Sequence, residues 1–142
     1  MGAFTDYAES GLLQHIFRNI TFAKPTQIKI GLVSTYTASD LEKGITTSEL
    51  TGGGYARRTV NADATTWIEP YSSGTAQALH NRQDIKFPES APFSADIGNV
   101  EGVFLTDQSD NVLFYGQLTA ARNIRNGDQF VFPSGGLKVT LD

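Results

Sequence analysis

The sequence predicts a mainly β protein: a single β-sandwich or barrel-like domain of about seven short strands, preceded by one short N-terminal helix. Three observations lead there. From Gln27 onward, apolar residues recur with a period of two or in short runs, as in Ile28, Ile30 and Leu32 or Val100 to Leu105. Turn chemistry separates these runs, including Ser109-Asp110-Asn111, Asn126-Gly127 and Ser134-Gly135-Gly136. Charged residues make up only 18% of the chain, below the roughly 25% usual for soluble domains. Thr, Ser, Asn, Gln and Gly take their place, which suits sheet surfaces and tight turns.

Residues 1–24 read as a helix or arm, and residues 25–142 as the β domain. Asp6 followed by Glu9 resembles a capping box, with Asp in place of Ser or Thr. Leu12 with Ile16 and Leu13 with Phe17 then form i,i+4 apolar pairs. Gly11 weakens this helix and Pro25 forbids extending it far. So short a helix is marginal in isolation and needs a docking surface, on its own sheet or on a neighbour.

The alternation from Gln27 is the first strand. Ser34 to Ser48 reads as a loop turning at Asp40 and Gly44, and Gly52-Gly53-Gly54 bends the chain into a second strand, Tyr55 to Val60. Asn61 to Arg82 carries little periodicity and reads as an extended excursion with one short strand at Trp67. Asp84 to Phe87 alternates and stops at Pro88. Val100 to Leu105 and Val112 to Leu118 form a hairpin about Ser109-Asp110-Asn111. Gln129 to Phe132 and Leu137 to Leu141 follow, with Phe130, Phe132, Leu137, Val139 and Leu141 expected as the inward residues of a closing hairpin.

Composition narrows the function. A net charge of −4 and a pI near 5.1 supply no basic field for phosphates, so nucleic-acid binding is not expected. With no cysteine, disulfides and thiolate metal sites are absent. The first ten residues lack the apolar core of a signal peptide, and no apolar run approaches the ~20 residues of a membrane span. A soluble protein made in a cytoplasm, without membrane contact, is expected.

The search for chemistry finds no convergent set, and the chain is read as non-enzymatic, with no cofactor and no metal. The only imidazoles are His15 and His80, without metal-ligand spacing, and their ordinary reading is as surface or satisfied side chains. No Gly-x-Ser-x-Gly elbow occurs, and the Gly52–Gly54 run lacks the Gly-Lys-Ser/Thr of a phosphate loop. Asp107, Asp110 and Asn111 could ligate calcium in principle but read as turn residues. Arg57 and Arg58 would face opposite sides of a strand. Trp67, Tyr55 and Tyr71 could stack on sugar rings, with placement in a core or subunit interface as the plainer alternative. Leu12, Leu13, Ile16, Phe17, Tyr55 and Trp67 are the candidate interface residues.

An ordered series of segments runs through nearly the whole chain. It comprises Phe4-Thr5-Asp6-Tyr7-Ala8, Leu12 to Phe17, Pro25 to Val33, Glu49 to Arg57, Asn81 with Ile85-Lys86-Phe87-Pro88, Leu113 to Thr119, Asn126 to Phe132 and Gly136 to Asp142. In this order the segments resemble small bacteriophage virion proteins of the tail-fibre-like or capsid decoration (cement) type. Those relatives often carry Trp-Gly after the Phe-Pro segment; here Ile97-Gly98 keeps the apolar slot.

The resemblance implies a virion location, a homo-oligomer, and partners among the major capsid protein or the tail proteins. Ending on a strand without a repeat, the chain is expected to be a capsid decoration protein bridging capsomers. A tail-fibre-like, baseplate or tail-adaptor protein is the alternative, and a carbohydrate-binding β-sandwich a further one.

Overall fold

The computed structural model describes residues 3–141. In chain order these form β1 (Ala3–Phe4), α1 (Asp6–Phe17), β2 (Gln27–Val33), α2 (Ala38–Glu42), β3 (Arg58–Asn61), β4 (Tyr71–Ser73), β5 (Ala76–His80), β6 (Ile85–Phe87), β7 (Gly98–Thr106), β8 (Val112–Ile124), β9 (Phe130–Phe132) and β10 (Lys138–Leu141). The protein is mainly β. Its strands build a five-stranded sheet, β1-β8-β7-β2-β3, a three-stranded sheet, β10-β5-β4, and a two-stranded sheet, β6-β9. These are separate sheets, so the barrel option of the sequence reading falls and layered packing remains.

Registry explains why the large sheet is apolar on both faces. Across it, Phe4 pairs with Phe114, Phe114 with Leu105, and Leu105 with Ile30. This row faces the main core, where β2 and β7 meet Ile85, Phe87, Phe130, Phe132 and Val139 of the two small sheets. The neighbouring row of Gly31, Phe104 and Tyr115 faces the other way. There Val33, Leu41, Phe104, Val112 and Tyr115 form a second cluster under α2. A strand covered on both sides needs apolar residues at consecutive positions, and β7 therefore reads as a continuous run.

Gly31 has a steric role in that second row. A Cβ there would overlap the Phe104 ring, so the missing side chain lets the far end of the ring approach β2 closely.

Several sequence expectations are corrected. The 34–48 segment contains α2, whose Leu41 is buried, because one apolar residue per turn suffices to dock so short a helix. Tyr55 and Arg57 precede the second strand, which starts at Arg58. The middle segment holds the hairpin β4–β5, turning at Gly74 with φ +64°, while Trp67 makes only an isolated bridge to Asn81. β9 and β10 do not form a closing hairpin: β9 pairs with β6, and β10 with β5. Phe130, Phe132, Leu137 and Val139 are buried as expected, but Leu141 is exposed. The described strands number ten rather than about seven, the difference lying in β1 and the β4–β5 hairpin.

At the junction of the small sheets sits Asn81, 1% exposed. Its Nδ2 donates to the carbonyls of Gln83 (2.7 Å) and Pro133 (3.0 Å), and its Oδ1 accepts from the Leu137 amide (2.9 Å). One side chain thus joins the strand ends of β5, β6, β9 and β10. Among the described residues no buried side-chain nitrogen or oxygen lacks a partner, so this polar hub carries no uncompensated desolvation cost.

Candidate functional site

The N-terminal segment divides into an anchored half and a projecting half. Thr5 is fully buried; its Oγ1 donates to the Val112 carbonyl and accepts from the Ala8 amide (3.3 Å). Thr5, one residue before the expected Asp6, is therefore the N-cap of α1. Asp6 and Glu9 lie in the first turn, where carboxylates favour the helix dipole. Ala8 is buried. Asn19, in the left-handed region at φ +54°, closes the helix as the Ile20 amide returns to the Gln14 carbonyl (3.2 Å).

The return arm then crosses α1 at Gly11. A Cβ at that position would overlap Phe22, which also packs on Tyr7 at 5.8 Å between ring centroids. Gly11 lowers helix propensity, and it is what lets the arm lie against the helix. His15 accepts from the Phe22 amide through Nδ1 (3.2 Å), fixing the same return.

Beyond this anchor the apolar residues are uncovered. Leu13 is 59% exposed, Ile16 66%, Phe17 78% and Ile20 45%. Leu12, on the opposite side of the helix from Phe17, is half-buried and lines a groove. This groove, about 940 Å³, opens where the large sheet and the β5–β10 pair splay apart. Its floor and walls include Phe114, Leu105, Ile28, Trp67, Leu79 and Val139, with Leu141 at its margin. Trp67, a candidate interface residue, is half-buried, packs against the main core and lines the groove.

The remaining candidate, Tyr55, is placed differently. Its ring stacks on Phe87 at 6.3 Å and 9°, its hydroxyl donates to Glu49 (2.9 Å), and the Leu32 amide donates to it (3.0 Å). Burial pushes its phenol well above the ordinary tyrosine range. Tyr55 is a core strut, which separates it from Trp67 and Tyr71 as a sugar-stacking platform. Tyr71 is only partly free, its ring edge-on to His80 and facing the Lys138 ammonium.

Tyr55 belongs to a polar network on the other face. Arg57 grips Glu49 with two donors, Nε to Oε1 (2.9 Å) and Nη2 to Oε2 (2.8 Å). Its Nη1 donates to Asp110 (3.0 Å), which also accepts from Lys29 Nζ (2.9 Å). The guanidinium carbon lies 4.9 Å from the Phe104 ring centre. The Glu49 hydrogen bond raises Arg57 above its usual range, and the Lys29 bond holds the Asp110 carboxyl below its own. The turn carboxylate Asp107 accepts from the amides of Ser109 (2.9 Å) and Asn111 (3.0 Å) and from the Asn111 side chain (3.0 Å). These bonds hold the β7–β8 turn together. Among the described residues no group of three or more His, Cys, Asp or Glu side chains is placed to hold a metal, and no helix is long and apolar enough to cross a membrane.

The sequence identified the arm residues by their spacing but missed the groove. Its lining comes from α1, six strands and three loops far apart in the chain, including Leu105, Phe114 and Val139, so local periodicity carries no sign of it.

Fold and surface define a class: a small layered β module that presents an apolar arm beside an apolar groove. Within that class the family is shown by the sequence. The chain belongs to the family described as podophage GP4 fiber I protein gp80, whose model matches residues 3–140. It is a phage fibre-type structural protein, a component of the virion. No curated protein matches the chain.

Proposed function

We propose that the protein is a non-enzymatic building block of a tail-associated fibre, and that the projecting half of the arm, Leu13 to Ile20, is an assembly surface. Membership of a fibre family over residues 3–140 carries the reading. The uncovered apolar side chains of α1 support it, since soluble monomers rarely expose contiguous apolar patches beyond a few hundred Å². Chemistry-bearing side chains are instead committed to structure: His15 to the arm, His80 Nδ1 to the Asn81 carbonyl (3.0 Å), and Glu49 to Arg57. Family membership favours the fibre role over capsid cementing, for which no observation speaks specifically.

Immunogold labelling of intact particles with antibody against this chain tests the location. Gold confined to the tail region is the expected result, and gold spread over the head would return the protein to capsid decoration.

A further inference from the structure

We propose that the occupant of the apolar groove is the arm of a second copy of this chain, with Phe17 and Leu13 entering the groove and Arg18 meeting Glu69 at its rim. The inference rests on the reading of the arm as an assembly surface and names its partner.

Geometry excludes the chain's own arm from this role. Residues on a helix rotate by about 100° each, so Leu12 and Ala8, which line the groove, and Leu13 and Phe17, which face solvent, occupy different sides of one rigid helix. Thr5 and Phe22 fix that orientation. One chain therefore holds an apolar knob and an apolar hole that it cannot bring together.

Charge favours a second copy as well. Arg18 follows Phe17 directly, and among the described residues its guanidinium has no ion-pair partner. Glu69 lines the groove and is likewise free of any ion pair there. Lys24, Asp63 and Arg82 line the same groove, so its rim carries both signs, and an arm seated with Phe17 in the groove places Arg18 on the Glu69 side of it.

The area is also adequate. A stable interface covers roughly 800 Å² on each partner, and one buried aromatic side chain supplies about 150–250 Å². Two reciprocal contacts, each covering Phe17, Ile16, Leu13 and Ile20, reach that range and close a twofold dimer.

Sedimentation velocity of the full chain over a concentration series tests this. The wild-type protein is expected to associate. Phe17→Glu, at a solvent-exposed position, is expected to weaken association at least tenfold while leaving the circular-dichroism spectrum of the folded chain unchanged. Arg18→Glu and Glu69→Arg are each expected to weaken it several-fold, and the double reversal to restore it. A wild-type chain monomeric throughout, or a Phe17→Glu chain that associates normally, would overturn the proposal. So would charge reversals that fail to compensate. Loss of Phe17→Glu from virions with self-association unaffected would also overturn it, leaving the assembly reading intact and giving the arm to another virion protein.

Discussion

Arg57 shows how much one side chain can organise. The fork geometry that grips both oxygens of Glu49 also places the guanidinium over Phe104, whose ring fits there because Gly31 has no side chain. With both partners of the ion pair about three-quarters covered, its removal leaves Glu49 short of donors. Arg57→Ala is expected to lower the free energy of unfolding by about 2 kcal/mol. Arg57→Lys keeps the charge but not the fork, and is expected to cost about 1 kcal/mol. Urea denaturation measures both. Asp110 works through charge. Its carboxyl is depressed in the folded state, so its contribution is complete above the unfolded value near 3.9 and is lost as pH falls through the lower folded value. Its side chain is 57% exposed, so screening keeps that contribution well under about 1 kcal/mol. Asp110→Asn tolerates the left-handed backbone at this position, φ +68°. Its melting temperature is expected to fall slightly below wild type at neutral pH, with the gap closing as pH falls below the ordinary carboxylate range and Asp110 itself becomes neutral.

At the scale of elements, α1 depends on one buried residue. Thr5 satisfies a helix amide and a strand carbonyl at once, so Thr5→Ala is expected to cost about 1–2 kcal/mol. The loss should concentrate in the arm: hydrogen exchange of the α1 amides rises while β7 and β8 stay protected. Protection unchanged in α1 would show that the cap is dispensable. The elements also show what a sequence can reveal. β2, β6, the β7–β8 hairpin and α1 were legible because each has a local signature: alternation, a Pro stop, turn residues or i,i+4 pairs. The β4–β5 hairpin escaped because Tyr71 to His80 is mostly polar and half-exposed, which leaves periodicity little to register. The pairing of β9 with β6 and of β10 with β5 escaped for a different reason. Phe130, Phe132 and Val139 fix which side faces inward, but strand neighbours are chosen by long-range contacts such as the Asn81 hub.

For the whole molecule, the two-sided core of the large sheet makes a rigid platform, and the arm and groove lie together at its open end. The apolar residues that α1 leaves exposed were legible as apolar pairs; the placement of Tyr55 was not, since an aromatic beside glycines carries no sign that Glu49 and Leu32 will hold its hydroxyl inside. Ile97 packs against the main core and over Gly53, filling the apolar slot that precedes Gly98. The described residues thus present an apolar arm beside an apolar groove, in keeping with a protein that is built into a particle. The most direct measurement is a cryo-EM map of the intact virion, with the copy number of this chain set against that of the major capsid protein. A tail-associated fibre component requires density at the tail and a small copy number fixed by the tail's symmetry. Density repeated across the capsid surface at a capsid-scale copy number would contradict it.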